Sequence, residues 1–152
     1  MTVEVGQPAP GFALRTQHGA TMKLSDFHGT QAVALVFYPF AFSRTCTGEL
    51  CEIRDNLGIF TADDVQVIAI SCDPMHCLRV FAETEHYDFP LLTDFWPHGS
   101  VAKEYGVFNE AFGFANRGTF LVDRDGVLRW SILNGPGEAR PLAAYREALA
   151  AL

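Results

Sequence analysis

The sequence predicts an α/β fold built on a mixed central sheet, and three observations carry that prediction. Ala32 to Tyr38, a continuous apolar run of seven, is too short for an independent helix and reads as a buried strand, and Val65 to Ser71 reads as a second one. Each is followed by a helical pattern, the alternation that lays helices on a sheet. Near the end, Asp123-Arg124-Asp125-Gly126 separates two β-rich runs. Asp-Gly in that setting is a hairpin signal, so the sheet cannot be wholly parallel.

The elements follow in order. Phe12 to Arg15 and Thr21 to Leu24 flank Gln17-His18-Gly19 and read as a short hairpin. Ser25-Asp26-Phe27 suits a brief helical turn that Gly29 ends. Pro39 ends the strand Ala32–Tyr38, and a helix is expected from near Ser43 to about Phe60, because Leu50, Ile53, Leu57 and Phe60 recur at helical spacing. After the strand Val65–Ser71, Pro74 suits the first turn of a helix carrying Leu78 and Phe81. Pro90-Leu91-Leu92 begins a short strand, Ser100 to Tyr105 a short helix ended by Gly106. Thr119 to Val122 and Val127 to Ile132 are the arms of the Asp-Gly hairpin, and Pro141 to Leu152 reads as a closing helix. A thioredoxin-like sheet with extra N-terminal strands fits this order.

Length and composition narrow the function. The chain has 152 residues, one domain (1–152) by the prior of roughly 100–200 residues per domain. With 11 basic and 18 acidic residues its formal charge is −7, which argues against binding a phosphate backbone and hence nucleic acid. No linker, low-complexity segment or repeat interrupts it. Met1 to Phe12 has neither the basic nor the apolar region of a signal peptide. The longest apolar run, Ala32 to Phe42, is broken by Pro39 and is shorter than the ~18 residues of a membrane span. The expectation is a cytoplasmic protein without a membrane segment, in a compartment where thiols stay reduced. Its four cysteines, Cys46, Cys51, Cys72 and Cys77, are too sparse for a disulfide scaffold.

Cys46 is expected in the first turn of the helix after Pro39, where free N–H groups and the positive end of the helix dipole favour a thiolate. Cysteines so placed have pKa values of about 3.5–7.5 rather than ~8.5. Ser43, three residues earlier, could cap the helix or reach the sulfur. Position alone leaves two readings open: a catalytic thiol, or a small buried residue at a helix start.

The segment Pro39-Phe40-Ala41-Phe42-Ser43-Arg44-Thr45-Cys46 resembles the peroxiredoxin motif Pro-x-x-x-Thr/Ser-x-x-Cys, with Val36-Phe37-Tyr38 before it and Gly48-Glu49-Leu50 after it. Asn116-Arg117-Gly118-Thr119-Phe120-Leu121-Val122-Asp123 resembles the segment that supplies that family's active-site arginine. Phe95-Trp96-Pro97-His98-Gly99, Tyr105 to Glu110 and Ala115 to Phe120 bring the chain near the AhpE type. The resemblance implies a thioredoxin-like fold with a peroxiredoxin-type N-terminal extension and a thiol-dependent peroxidase acting on hydrogen peroxide, organic hydroperoxides and peroxynitrite. Cys46 would be the peroxidatic residue, oxidised to sulfenic acid. Arg117 would stabilise thiolate and transition state, Ser43 would bond the peroxide, and Pro39 would shield the sulfur. Glu49 would orient the arginine or be a solvated helix carboxylate. No cofactor or metal is implied. The implied partners are a peroxide, a thiol reductant (thioredoxin, mycoredoxin with mycothiol, or glutaredoxin) and a second copy in a homodimer.

Cys51 departs from the one-cysteine AhpE pattern and resembles the Cys-x-x-x-x-Cys of bacterioferritin comigratory protein (peroxiredoxin Q) relatives. That likeness makes it a resolving cysteine, with reduction by an external thiol as the alternative. On an ideal helix residues 46 and 51 have Cα atoms roughly 8.6 Å apart, beyond the about 4.4–6.8 Å of a disulfide. Pairing would therefore require the first turn to unwind. Cys72 and Cys77 are expected to be packed or partly exposed thiols, or additional redox partners. A zinc site is the rival, but the pairs lie on or beside helices rather than tight turns. The scattered His18, His28, His76, His86 and His98 share no metal-binding spacing. Phe40, Phe42, Phe95, Trp96 and Phe112 are expected in the core, at a dimer interface or lining a pocket. A disulfide reductase, which needs Cys-x-x-Cys, and a non-enzymatic redox sensor are the competing functions.

Overall fold

The computed structural model describes residues 3–134, 141–150 and 152. The strands are β1 (Ala13–Thr16), β2 (Thr21–Lys23), β3 (Ala32–Phe37), β4 (Val65–Ser71), β5 (Leu91–Thr93), β6 (Phe108–Asn109), β7 (Phe114–Ala115), β8 (Arg117–Val122) and β9 (Leu128–Asn134). The α-helices are α1 (Arg44–Asp55), α2 (Gly58–Thr61), α3 (Met75–Glu85), α4 (Ser100–Glu104) and α5 (Leu142–Ala150), with a 3₁₀ turn at Leu24–Phe27. Seven strands form one sheet in the order β2-β1-β5-β4-β3-β8-β9, and β6 and β7 form a separate ribbon. β3 and β5 run parallel to β4, whereas β1, β2, β8 and β9 join antiparallel, giving the mixed sheet expected. No helix among the described residues is long and apolar enough to cross a membrane.

The two apolar runs are the central strands because they can bury both faces. Ala32, Ala34, Val36 and Tyr38 point to one layer with Val65, Val67 and Ala69, under Leu50 and Ile53 of α1, Leu78 and Phe81 of α3 and Tyr145 of α5. Val33, Leu35 and Phe37 point the other way with Ile68 and Ile70, against Val101, Tyr105 and Phe120. The period of two thus divides each run between two cores on opposite faces of the sheet.

Three elements differ from expectation. The helix expected to reach Phe60 stops at Asp55, where Asn56 leaves helical geometry at φ −123° and its side-chain amide donates to the Glu52 carbonyl at 2.8 Å. Leu57 and Phe60 still pack on the core from the separate turn α2, so the apolar spacing runs on through a broken helix. The ribbon β6–β7 was not foreseen, and β8 begins two residues early, at Arg117. The Asp-Gly turn lies between β8 and β9 as expected. Asp123 Oδ1 accepts from the N–H groups of Asp125 and Val127 at 3.0 and 2.9 Å. Gly126 sits at φ +82°, and a Cβ there would lie 2.6 Å from His28 Nε2, so both conformation and space require glycine. The closing helix covers Leu142–Ala150; Ala151, within the range expected to be helical, lies outside the described residues.

Candidate active site

β3 delivers the chain to Pro39, which is buried, and the loop to Ser43 turns it into α1. That loop is pinned by Asp73, whose Oδ2 accepts from the Ala41 N–H and from the Ser71 hydroxyl, each at 2.8 Å. Phe42 holds φ +66°, a strained conformation for a bulky residue, and its ring packs on Phe81 at 4.9 Å between centroids. Ser43 is the N-cap of α1, yet its hydroxyl makes no capping bond; its Oγ is buried and unpartnered. Cys46 follows in the first turn, 0% exposed.

Arg117 comes from the first residue of β8, the strand beside β3. Its Nη2 donates to Cys46 Sγ at 3.2 Å and its Nη1 to Glu49 Oε1 at 2.8 Å. Arg117 is 2% and Glu49 3% exposed, so Glu49 is no solvated helix carboxylate. One guanidinium thus spans a buried carboxylate and the sulfur, fixing its plane and the direction of its second donor. The structure brings Cys46, Glu49 and Arg117 together, with Pro39 and Ser43 on the loop that leads into α1. Tyr38, which sequence reasoning left in the core, lies below them as a fully buried phenol. Burial raises its pKa well above the ordinary value; Ser71 pulls it down, while Asp73, Cys46 and Cys77 add to the rise.

Cys51, on the same intact helix, faces elsewhere. Its thiol donates to Glu85 Oε2 at 3.3 Å and lies 3.5 Å from the Tyr87 hydroxyl, which donates to the Thr47 carbonyl at 3.3 Å. No local pattern marked Glu85 or Tyr87, which lie 34 and 36 residues further along the chain. All four cysteines are free. Cys72 is buried and Cys77 partly exposed. Among the described residues no group of three or more His, Cys, Asp or Glu is arranged to hold a metal. Burial, then Asp94 and Asp73, push the Cys72 thiol up to about 12. Only about one molecule in 10⁴ would be thiolate there at pH 8. Iodoacetamide at that pH is therefore expected to modify Cys77 well before Cys72, as read by peptide mass spectrometry; equal rates would contradict this.

The aromatic loop residues are not core. Phe40, Phe42, Phe95, Trp96 and Phe112 are exposed, Trp96 at 81%. Phe40 and Phe112 both pack on Phe114. His98 ties the Phe95–Gly99 loop to the β6–β7 ribbon, its ring nitrogens 3.2 Å from the Phe95 carbonyl and 2.7 Å from that of Gly113.

A helix-start cysteine against a buried guanidinium, on a thioredoxin-like sheet, defines a site suited to thiol-based peroxide reduction. The family model described as AhpC/TSA family matches residues 5–131, and the chain belongs to that family. It is a peroxiredoxin, a thiol peroxidase. Over 150 residues it is 47% identical to alkyl hydroperoxide reductase E of Mycobacterium tuberculosis, covering 99% of this chain and 98% of the relative. Over 134 residues it is 35% identical to peroxiredoxin Bcp of Bacillus subtilis, covering 84% and 83% of the two chains. Among solved structures, peroxidoxin BcpB from Mycobacterium tuberculosis matches with a TM-score of 0.85 at 31% identity, over 98% of this chain and 96% of that one.

Proposed function

We propose that Cys46, as thiolate, attacks the terminal oxygen of hydrogen peroxide, an organic hydroperoxide or peroxynitrite. The S–O bond forms as the O–O bond breaks. Cys46 becomes a sulfenic acid; from a hydroperoxide the leaving hydroxide or alkoxide takes a proton to give water or an alcohol, and from peroxynitrous acid nitrite departs as the anion. The observation that carries this reading is the Arg117 guanidinium held between Glu49 and Cys46 Sγ. Its fixed charge faces the attacking sulfur and lowers the energy of the negative charge that develops on oxygen. The α1 N-terminus adds to this, since Ser43 leaves the first turn uncapped by a side chain. The same unpartnered Ser43 hydroxyl is available to the peroxide oxygens, and buried Pro39 closes the site to water.

Resolution is by Cys51, forming a 46–51 disulfide with loss of water after the first turn of α1 unwinds. The Cys-x₄-Cys spacing shared in type with Bcp relatives supports it. The intact helix α1, which carries Cys46 and Cys51 as separate free thiols, favours a second reading, in which an external thiol reduces Cys46 directly. Mass spectrometry after one equivalent of peroxide separates the two. A 46–51 disulfide is expected; a persisting Cys46 sulfenic acid with free Cys51 would select the external thiol. The final reductant is thioredoxin, mycoredoxin with mycothiol, or glutaredoxin, to be identified with a purified panel. The enzyme acts as one domain (1–152), in the cytoplasm, as a homodimer through the loops carrying Phe40 and Phe112. Their exposure of 46% and 74% supports that face, and sedimentation at the monomer mass would exclude it.

A further inference from the structure

Cys51 is not simply waiting on a helix. Its sulfur sits among a carboxylate, a phenol and a guanidinium brought from two segments. Glu85, the last residue of α3, accepts the thiol proton at 3.3 Å. Arg54, one turn after Cys51 on α1, places Nη1 3.7 Å from the same Glu85 Oε2 and also bonds the Glu85 carbonyl. Tyr87 lies against the sulfur with its hydroxyl turned to Thr47. A thiol that must attack a sulfenic acid has to lose its proton, because the thiolate is the nucleophile. Here a carboxylate already accepts a hydrogen bond from that thiol.

We propose that Glu85 is the general base of the resolving step, with Arg54 orienting its carboxylate and the Tyr87 hydroxyl turning to the sulfur as charge builds on it. This rests on the reading that Cys51 resolves the Cys46 sulfenic acid. As the reaction proceeds, the Cys51 proton passes to Glu85 and the sulfur electron pair forms the bond to Cys46 Sγ. The Cys46 S–O bond breaks, and the departing hydroxide takes up the proton as water. Cys51 is oxidised, the sulfenic sulfur is reduced, and no further reactant enters. The arrangement also says which part moves. Cys51 is fixed by contacts to residues of α3 and the segment after it, so the first turn of α1, carrying Cys46, comes to the base.

Burial raises the Cys51 thiol above its ordinary value; Tyr87 lowers it, Glu85 raises it again and Arg54 opposes that. At neutral pH the group is thus a neutral thiol, and an unassisted attack would proceed through a minor thiolate fraction. The groups facing the sulfur are Glu85, Tyr87 and Arg54.

The test is rapid-quench mass spectrometry of the whole protein after a single addition of hydrogen peroxide. Sulfenic acid, trapped with dimedone, and disulfide are followed separately. In Glu85→Gln, conversion of sulfenic acid to disulfide is expected to slow about 100-fold at pH 7, at the low end of general-base contributions. The deficit should narrow with rising pH, as hydroxide replaces the missing base and the variant's rate climbs about tenfold per pH unit. Glu85→Asp keeps a carboxylate and is expected to recover part of the rate. A purely structural role for Glu85 would give a deficit independent of pH. Conversion by Glu85→Gln at the wild-type rate, or a deficit unchanged from about pH 6.5 to about pH 8.5, would overturn the assignment of the base. Wild-type sulfenic acid that never becomes disulfide would overturn the resolving role of Cys51, and the base with it.

Discussion

Replacing Cys46 with serine is expected to abolish peroxide-dependent turnover, a loss on the order of 1,000-fold or more, or about 4 kcal/mol of barrier. A serine hydroxyl is nearly the same size and can accept the Arg117 Nη2 bond that Cys46 Sγ accepts at 3.2 Å. It does not ionise at neutral pH, so the nucleophile is lost while the packing is kept. The measurement is peroxide consumption with a thiol donor, alongside urea unfolding to show that the variant is folded. Turnover retained in Cys46→Ser would remove Cys46 from the centre of the mechanism and send the search to Cys51, Cys72 and Cys77.

Arg117→Met is the second large effect, and it should appear in two measurements. The guanidinium is 2% exposed and answers a carboxylate that is 3% exposed. Removing the guanidinium strips this buried carboxylate of the cation held against it, at about 3–5 kcal/mol of stability. That is a large share of the roughly 5–15 kcal/mol of a typical domain. The rate of sulfenic acid formation should fall by about 10²–10³, the usual consequence of deleting one preorganised donor from a transition state. Adding Glu49→Gln separates the two effects. With both charges gone, stability in urea should largely return, because a buried pair removed together often costs little. The rate should not return, since the fixed cation facing sulfur and oxygen is gone. Recovery of both in the double variant would reduce Arg117 to a structural ion-pair partner.

The central strands were legible because a strand buried on both faces has no alternative reading. Ala32–Tyr38 is apolar throughout and Val65–Ser71 nearly so, and they pair in parallel from Ala32 with Val65 to Phe37 with Ile70. The break at Asn56 was not legible, because Leu57 and Phe60 continue the helical spacing after the helix has ended. The ribbon β6–β7 has two residues in each strand and so carries no period to detect. In the site, Cys46 could be placed by local rules, since Pro39 and a helix start are neighbours in sequence. Glu49 could not be placed the same way. Which side of α1 it occupies matters only because Arg117 arrives there from 68 residues away. Glu85 and Tyr87 are the same problem in stronger form, acting on Cys51 through contacts that only the packing of α3 against α1 creates.

The position of Arg117 on β8 has a mechanical consequence. β8 is laced to β3 from Phe37 opposite Gly118 to Val33 opposite Val122, and on its other side to β9. The cation therefore belongs to the rigid frame of the molecule, while Cys46 belongs to a helical turn that, under the proposed resolution by Cys51, opens and closes once per catalytic cycle. When the turn opens, the guanidinium stays as a fixed docking post. The reduced sulfur then returns to a charge already in place, and the sheet, rather than the helix, preserves the memory of the active geometry between one turnover and the next.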